Sequence, residues 1–343
     1  MASWAYTTVL LEIHGYALYA MRPLRSRALP WLLLVLAVIA TVILVVARGE
    51  DLQSLRDVQP GFLALLLVMQ VVYLGVQSAR FHVVLVRFAE QRVGFWAWMR
   101  MFVIGRFLNL FIPHAGNVYR AVEVRRRFDV RIQDFLVAFI NTPWLAMILN
   151  YAFGALFVGL LAGDVVVAGW PLWLLLTAAM VVTSLAPLVA LSILPLFPQR
   201  IRAAAWLRGR LQEMVGVTLQ SLREPSYLWR VTFWTLIAFV QASTMLWIGF
   251  VALGVPVGVA EAIAFYVLLQ LATYVQVTPG NLGLQELAFA ALSAGFGAAA
   301  TDGVLVSTIV RVTGVIALLV TSLPVGGLEA LRATRAERAG AAT

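Results

Sequence analysis

The sequence predicts an all-α polytopic membrane protein of about six spanning helices plus two oppositely oriented re-entrant hairpins, laid out as an inverted repeat. Three observations predict it. The 343 residues are 62% hydrophobic and only 12% charged, about half the charged share of a soluble globular domain, so a soluble fold could not screen so much apolar surface. The apolar residues fall in long unbroken runs, not in the short alternating segments of a membrane β-barrel. The arginines bunch at alternate ends of those runs, the asymmetry that orients membrane helices. This composition excludes a soluble enzyme, a nucleic-acid-binding domain and a disordered scaffold.

Each element can be justified in order. Residues 4–20 suit an interfacial helix, unless the chain proper begins at Met21. They are not a signal peptide, because no basic segment precedes them and Glu12 and His14 interrupt the apolar run. The run 30–47 follows Arg22, Arg25 and Arg27, which hold the N-terminus in the cytoplasm. The mixed-sign loop 48–60 lies outside, and 61–79 returns to Arg80, Arg87 and Arg92. The densest basic cluster comes next, Arg120, Arg125, Arg126, Arg127 and Arg131, also inside. The apolar run between these two basic regions, near 95–113, must start and end on the same side. It is therefore an inner hairpin, or it lies along the surface.

The run 134–162 leads out toward Asp164, and 171–197 returns to a basic stretch from Arg200 to Arg230. Within that stretch, residues 199–224 place Ala204, Leu207, Leu211, Met214, Val215 and Leu222 on one face. An amphipathic cytoplasmic helix joining the two halves is expected there. The run 228–253 leads out to a loop whose charge is Glu261, and 304–323 ends at Arg332, Arg335 and Arg338. Both termini are then cytoplasmic, which requires the run 261–297 to enter and leave on the outer side as a second hairpin. The expected organisation is an N-terminal segment 1–29, a first membrane repeat 30–162, a linking region 163–227, the rest of the second repeat 228–325, and a cytoplasmic tail 326–343. A reading with eight full crossings fits the same hydropathy. In the hairpin reading the two halves carry one pattern, upside down with respect to each other. Inverted repeats with broken helices are a transporter architecture, because two pseudo-symmetric halves can expose one site to either side.

The chemistry-bearing residues cluster where the hairpins break. The first break runs through Asn109, Pro113, His114, Gly116, Asn117 and Arg120; the second runs through Pro279, Gly280, Asn281, Gly283, Gln285 and Glu286. Pro and Gly release backbone groups from helical pairing, which a membrane tolerates only where the backbone is buried in protein or lines a wet cavity. A helix restarting after such a break aims free N–H groups at the cavity, which suits an anionic headgroup. Ordinary interhelical loops account for the same Pro and Gly residues, and Asn109 and Asn281 also suit simple helix caps.

Glu286 is harder to treat as structural, because a carboxylate within an apolar stretch is costly. Its natural partner is Arg311, alone among charged residues in the run Val304–Leu323, with Arg106 and Arg120 as rivals. Arg120, beside the basic cluster, is expected to be an interfacial cation close to a lipid phosphate. The 25 basic residues are all arginine, against 16 acidic ones. The absence of lysine points to a GC-rich bacterial genome, and the excess of arginine to loops facing an anionic leaflet. There are no cysteines, and His14, His82 and His114 share no metal-ligand spacing. No cofactor, metal or nucleic acid is expected.

These residues carry a resemblance. The chain resembles, over about residues 30–325, the flippase-like integral membrane family that includes the transmembrane region of lysylphosphatidylglycerol synthases. That family shows an Asn-x3-Pro-x2-Gly-x3-Arg pattern, matched by Asn109, Pro113, Gly116 and Arg120. It then shows a Pro-Gly-Gly-x-Gly-x-x-Glu pattern and an arginine in the last helix, matched by Pro279, Gly280, Gly283, Glu286 and Arg311. Asn281 stands where the second Gly is usual, Gln285 where Arg is common and Asn117 where an acidic residue is common. The resemblance implies a stand-alone member in a bacterial inner membrane. It implies movement of a charged phospho- or aminoacyl-phospholipid between leaflets, without the aminoacyl-transferase domain and so without enzymatic activity. A non-catalytic partner presenting lipid to a separate synthase or glycosyltransferase, and a membrane-embedded lipid-modifying enzyme, are the alternatives. Partners compatible with this reading are the lipid itself, a separately encoded lipid-modifying enzyme and further copies of the chain.

Overall fold

The computed structural model describes residues 58–340 except 90–91, 112–113, 162, 164, 168, 194–208, 210–211, 213–214, 217–218, 221 and 275–282. The expected first span 30–47, the N-terminal segment and most of the amphipathic stretch 199–224 lie outside the described residues. Among the described residues the architecture is almost wholly helical. The elements are α1 (Pro60–Phe88), α2 (Phe95–Phe111), α3 (Ala115–Phe128), α4 (Ile132–Leu161), α5 (Leu172–Ile193), α6 (Pro225–Ala252), α7 (Val259–Tyr274), α8 (Leu284–Gly295) and α9 (Ala300–Gly340).

Five of these helices are long and apolar enough to cross a bilayer: Pro60–Phe88, Ile132–Leu161, Leu172–Val189, Pro225–Ala252 and Ala300–Ser322. They coincide with five of the six expected spans. Pro60 and Pro225 open α1 and α6 at their first turns, where a missing N–H is no loss. Pro143 sits inside α4. There Asn141 and Thr142 donate side-chain hydrogen bonds to the carbonyls of Val137 and Ala138, in the turn just before the proline. Large apolar side chains such as Val68, Leu160, Val182 and Trp229 stand exposed on the outside of the bundle, the distribution of a protein solvated by lipid. The chain is thus a multi-pass membrane protein.

Three details depart from the sequence reading. The apolar run near 95–113 is one continuous helix as far as Phe111, and its returning arm is α3, which the arginine-rich composition of 120–127 disguised as a loop. α9 runs on through the expected tail to Gly340, over an Ala-, Leu-, Glu- and Arg-rich stretch of strong helix formers. Between α4 and α5 a two-residue ribbon pairs Val166 with Pro171 and Val167 with Trp170.

Two aromatic cores hold the bundle. One stacks Phe81 of α1 on Trp98 of α2 at 4.8 Å between ring centroids, with Phe135 of α4 beside them. The other packs Phe239 of α6 against Tyr266 of α7 and Phe157 of α4. The helix contacts are reciprocal. α1 packs along α6. α2 packs not only on α3 and α1 but also on α9, and α7 packs not only on α8 and α6 but also on α4. The first arm of each helix–break–helix unit therefore docks on the closing helix of the other half.

Candidate functional site

The first break is built by glycines. A Cβ on Gly116 would overlap the backbone carbonyl of Gly105, and one on Gly105 would lie 2.9 Å from the Gly116 carbonyl oxygen. Only this pair lets α2 and α3 touch backbone to backbone. The chain turns between them through His114, which adopts a left-handed conformation at φ 63°. Asn109, near the end of α2, reaches across the turn. Its Oδ1 accepts the Gly116 N–H at 2.7 Å, so it caps α3 from the opposite arm and satisfies one of the free donors at that helix start. Pro113 lies outside the described residues.

Arg120, one turn into α3, is 4% exposed. This corrects the expectation of an interfacial cation. The close approach at the glycine pair draws the side chain inward, so that its guanidinium lies 5.1 Å from the Phe102 ring centroid and 5.7 Å from that of Phe81. Those rings stabilise a desolvated cation through their quadrupoles. Its Nε donates to the Gly116 carbonyl at 3.2 Å, and its Nη2 donates to Asn117 Oδ1. Asn117, the residue the sequence marked only as a departure, is thus the side-chain partner of Arg120, in a helix-surface pair three positions apart.

The second break ends at Gly283, which enters α8 with φ 80°. Pro279, Gly280 and Asn281 lie outside the described residues. Glu286 is 6% exposed, and both its oxygens are engaged. Oε2 accepts the Gly283 N–H at 2.7 Å, capping α8 from its third position. Oε1 lies 2.7 Å from Nε of Arg311 on α9. Arg311 Nη2 also donates to Gln285 Oε1 at 3.2 Å. Gln285, like Asn117, entered the sequence reading as a departure from the family pattern and not as a site residue. Gly303 sets the close approach of α9 to α8, since a Cβ there would overlap the Phe289 carbonyl.

The structure brings Asn109, Gly116 and Arg120 together at the first break, and Gly283, Glu286 and Arg311 at the second. α9 links the two groups. Leu110, at the end of α2, packs with Ala317 and Leu318 of α9, about 9–10 Å along the helix axis from Arg311. Gln70 of α1 donates to the Val310 carbonyl at 3.0 Å, so α1 also abuts this stretch of α9. Chemically the arrangement offers a cation on aromatic faces, an ion pair on a helix start, and a side-chain amide beside each. Among the described residues no group of three or more His, Cys, Asp or Glu could hold a metal ion. Such a set can hold a charged polar group.

No curated protein and no solved structure matches the chain. A family profile does, over residues 21–322, a range that contains both broken-helix sites and every described span. The chain belongs to the family of the lysylphosphatidylglycerol synthase TM region.

Proposed function

We propose that the protein is a flippase that moves a charged lipid between the leaflets of a bacterial inner membrane, with both termini in the cytoplasm. The observation that carries this reading is the placement of costly charge. Arg120 and Glu286 are buried within a lipid-solvated bundle, each on the helix that restarts after a break, and Glu286 pairs with the half-buried Arg311 of α9. Intramembrane charges of this kind mark substrate pathways. The arms α3 and α8, bounded on both sides by described residues, are 14 and 12 residues long. Each falls short of the roughly 20 residues a spanning helix needs, which supports re-entrant hairpins over eight full crossings. The reciprocal docking of α2 on α9 and of α7 on α4 supports two inverted repeats around one pathway. The chain itself carries out no bond chemistry in this reading; lipid synthesis belongs to a separate enzyme.

The test is lipid movement by the purified protein in liposomes, scored by the accessibility of a headgroup-labelled lipid in the outer leaflet. Wild-type protein accelerates movement. Arg120→Gln, and the doubly neutral Glu286→Gln/Arg311→Gln, do not, although both elute as folded protein. Wild-type rates in both variants would refute the site, and no movement by wild-type protein would refute the function.

A further inference from the structure

A cleft of about 230 Å³ interrupts the outside of the bundle between α4, α6 and α7. Its inner wall is apolar. Phe239 of α6 stacks on Phe157 of α4 with ring centroids 5.9 Å apart, and the buried Ile263 of α7 closes the third side. The rim is Val240 of α6 and Val259 of α7, both exposed like the other apolar side chains that meet lipid. The mouth therefore opens sideways into the bilayer. Neither Arg120 nor the Glu286–Arg311 pair lines it.

The depth of the cleft follows from α6. Its 28 residues extend about 42 Å, the thickness of a bilayer with its headgroups, roughly 40–45 Å. Phe239 stands at the middle of the helix, near the bilayer centre. Trp247 lines the other end of the cleft, about 12 Å farther along the helix and so close to the edge of the hydrocarbon layer. Its Nε1 donates to the Val257 carbonyl, between α6 and α7, at 3.1 Å, which fixes the indole at the level where amphipathic rings gather. The cleft thus runs from the bilayer centre to the interface at the C-terminal end of α6, the outer face in the topology proposed above.

Two points identify what fills it. Apolar walls without partner atoms forfeit dispersion contacts, and an engineered apolar cavity of about 150 Å³ stays dry and takes up benzene. This cleft is larger and opens directly on hydrocarbon. The second point is Ser243. It lines the cleft, it is buried, and its Oγ has no hydrogen-bond partner among the described residues. The adjacent Thr244 satisfies its hydroxyl on the Val240 carbonyl at 2.8 Å. An unpaired buried hydroxyl is costly, and a leucine in its place would fill the cleft and avoid that cost. Serine keeps the space open and the stability lower, as positions held for function do.

We infer that this cleft seats one hydrocarbon chain of the lipid that the protein moves, with the headgroup toward the Trp247 end. This rests on the lipid-moving reading above and adds a tail site to its headgroup residues. Val259 and Ile263 belong to α7, the arm that precedes the second break, so a chain in the cleft lies against that arm.

The test is photolabelling of the full-length protein in liposomes of phosphatidylcholine and phosphatidylglycerol. A small share of the phosphatidylglycerol carries a diazirine halfway along one acyl chain, and labelled peptides are read by mass spectrometry. Labelling over 239–247 and 259–263 should exceed that over the lipid-facing stretch 181–189 of α5 at least five-fold. Ser243→Leu should lower the cleft labelling and the rate of lipid movement at least five-fold each, and leave the α5 labelling as it was. Val259→Trp, at the exposed rim where a larger side chain meets lipid and not the core, should act in the same direction. Equal labelling of the cleft and of α5 would mean ordinary boundary lipid and overturn the proposal. So would cleft labelling unchanged in both variants. Equal competition by unlabelled dodecanoate and unlabelled phosphatidylglycerol would make this a site for any single-chain amphiphile and overturn it too. Labelling lost in Ser243→Leu with movement at the wild-type rate would overturn the assignment of the chain to the moved lipid. The two readings fail separately. Selective labelling without movement by wild-type protein refutes the flippase and leaves a chain-binding cleft; movement with unselective labelling refutes the cleft and leaves the flippase.

Discussion

Neutralising Glu286 removes more than a charge. Its Oε1 faces Arg311 and its Oε2 faces the Gly283 N–H, so both oxygens meet donors. Glutamine keeps one acceptor and turns its NH2 toward the other donor. With side chains only 19% and 8% exposed for Arg311 and Glu286, little water can compensate. Breaking a buried pair by removing one member costs about 3–5 kcal/mol. Arg311 keeps its contact with Gln285 Oε1, so the lower end, about 3 kcal/mol, is expected for Glu286→Gln. Arg311→Gln should cost about as much, since it leaves the carboxylate buried with only the Gly283 N–H. The double variant places two amides face to face, and neutral replacement of a buried pair is often tolerated. It should lose only about 3 kcal/mol in total, against about 6 kcal/mol for the two single losses added, giving a favourable coupling of about 3 kcal/mol, at the upper end of the range seen for contacting residues. The assay is a double-mutant cycle on denaturant unfolding in detergent micelles, followed by tryptophan fluorescence. Additivity within about 0.5 kcal/mol, the behaviour of independent sites, would refute the argument that the pair is a mutually dependent unit.

Two further predictions follow from the geometry. Gly116→Ala pushes a methyl into the Gly105 carbonyl; backbone cannot yield as a side chain does, so the cost should reach or exceed the usual 1–3 kcal/mol of overpacking, visible as a loss of monodisperse protein. Gly75→Ala is its control, because open space surrounds that position and alanine should gain about 0.5–1 kcal/mol in mid-helix. In this natively cysteine-free chain, Arg126→Cys should resist an impermeant thiol reagent in intact cells and react after permeabilisation; labelling from outside would invert the topology.

The spans were legible because bilayer thickness forces long apolar runs, and every described span begins or ends within a few residues of its hydropathic limits. The Glu286–Arg311 pairing was legible for the same reason: isolated charges in apolar runs must find each other. What the sequence hid was neutral or mixed. α3 carries three arginines in its last turn, a composition that reads as loop, so the returning arm of the first unit was invisible. Asn117 and Gln285 have no charge to betray their contacts with Arg120 and Arg311. The burial of Arg120 depends on Gly105, which hydropathy treats as filler, and the tie from Gln70 to the Val310 carbonyl spans 240 positions that no local pattern relates.

The cross-docked arms bear on how such a protein could avoid leaking. α2 rides on α9 and α7 rides on α4, so neither arm is free to swing with its own half alone. In the flippase proposed above, a tilt of one half would carry the other half's first arm with it, so that clearing a passage at one face would close it at the other, as the two pans of a balance cannot both rise.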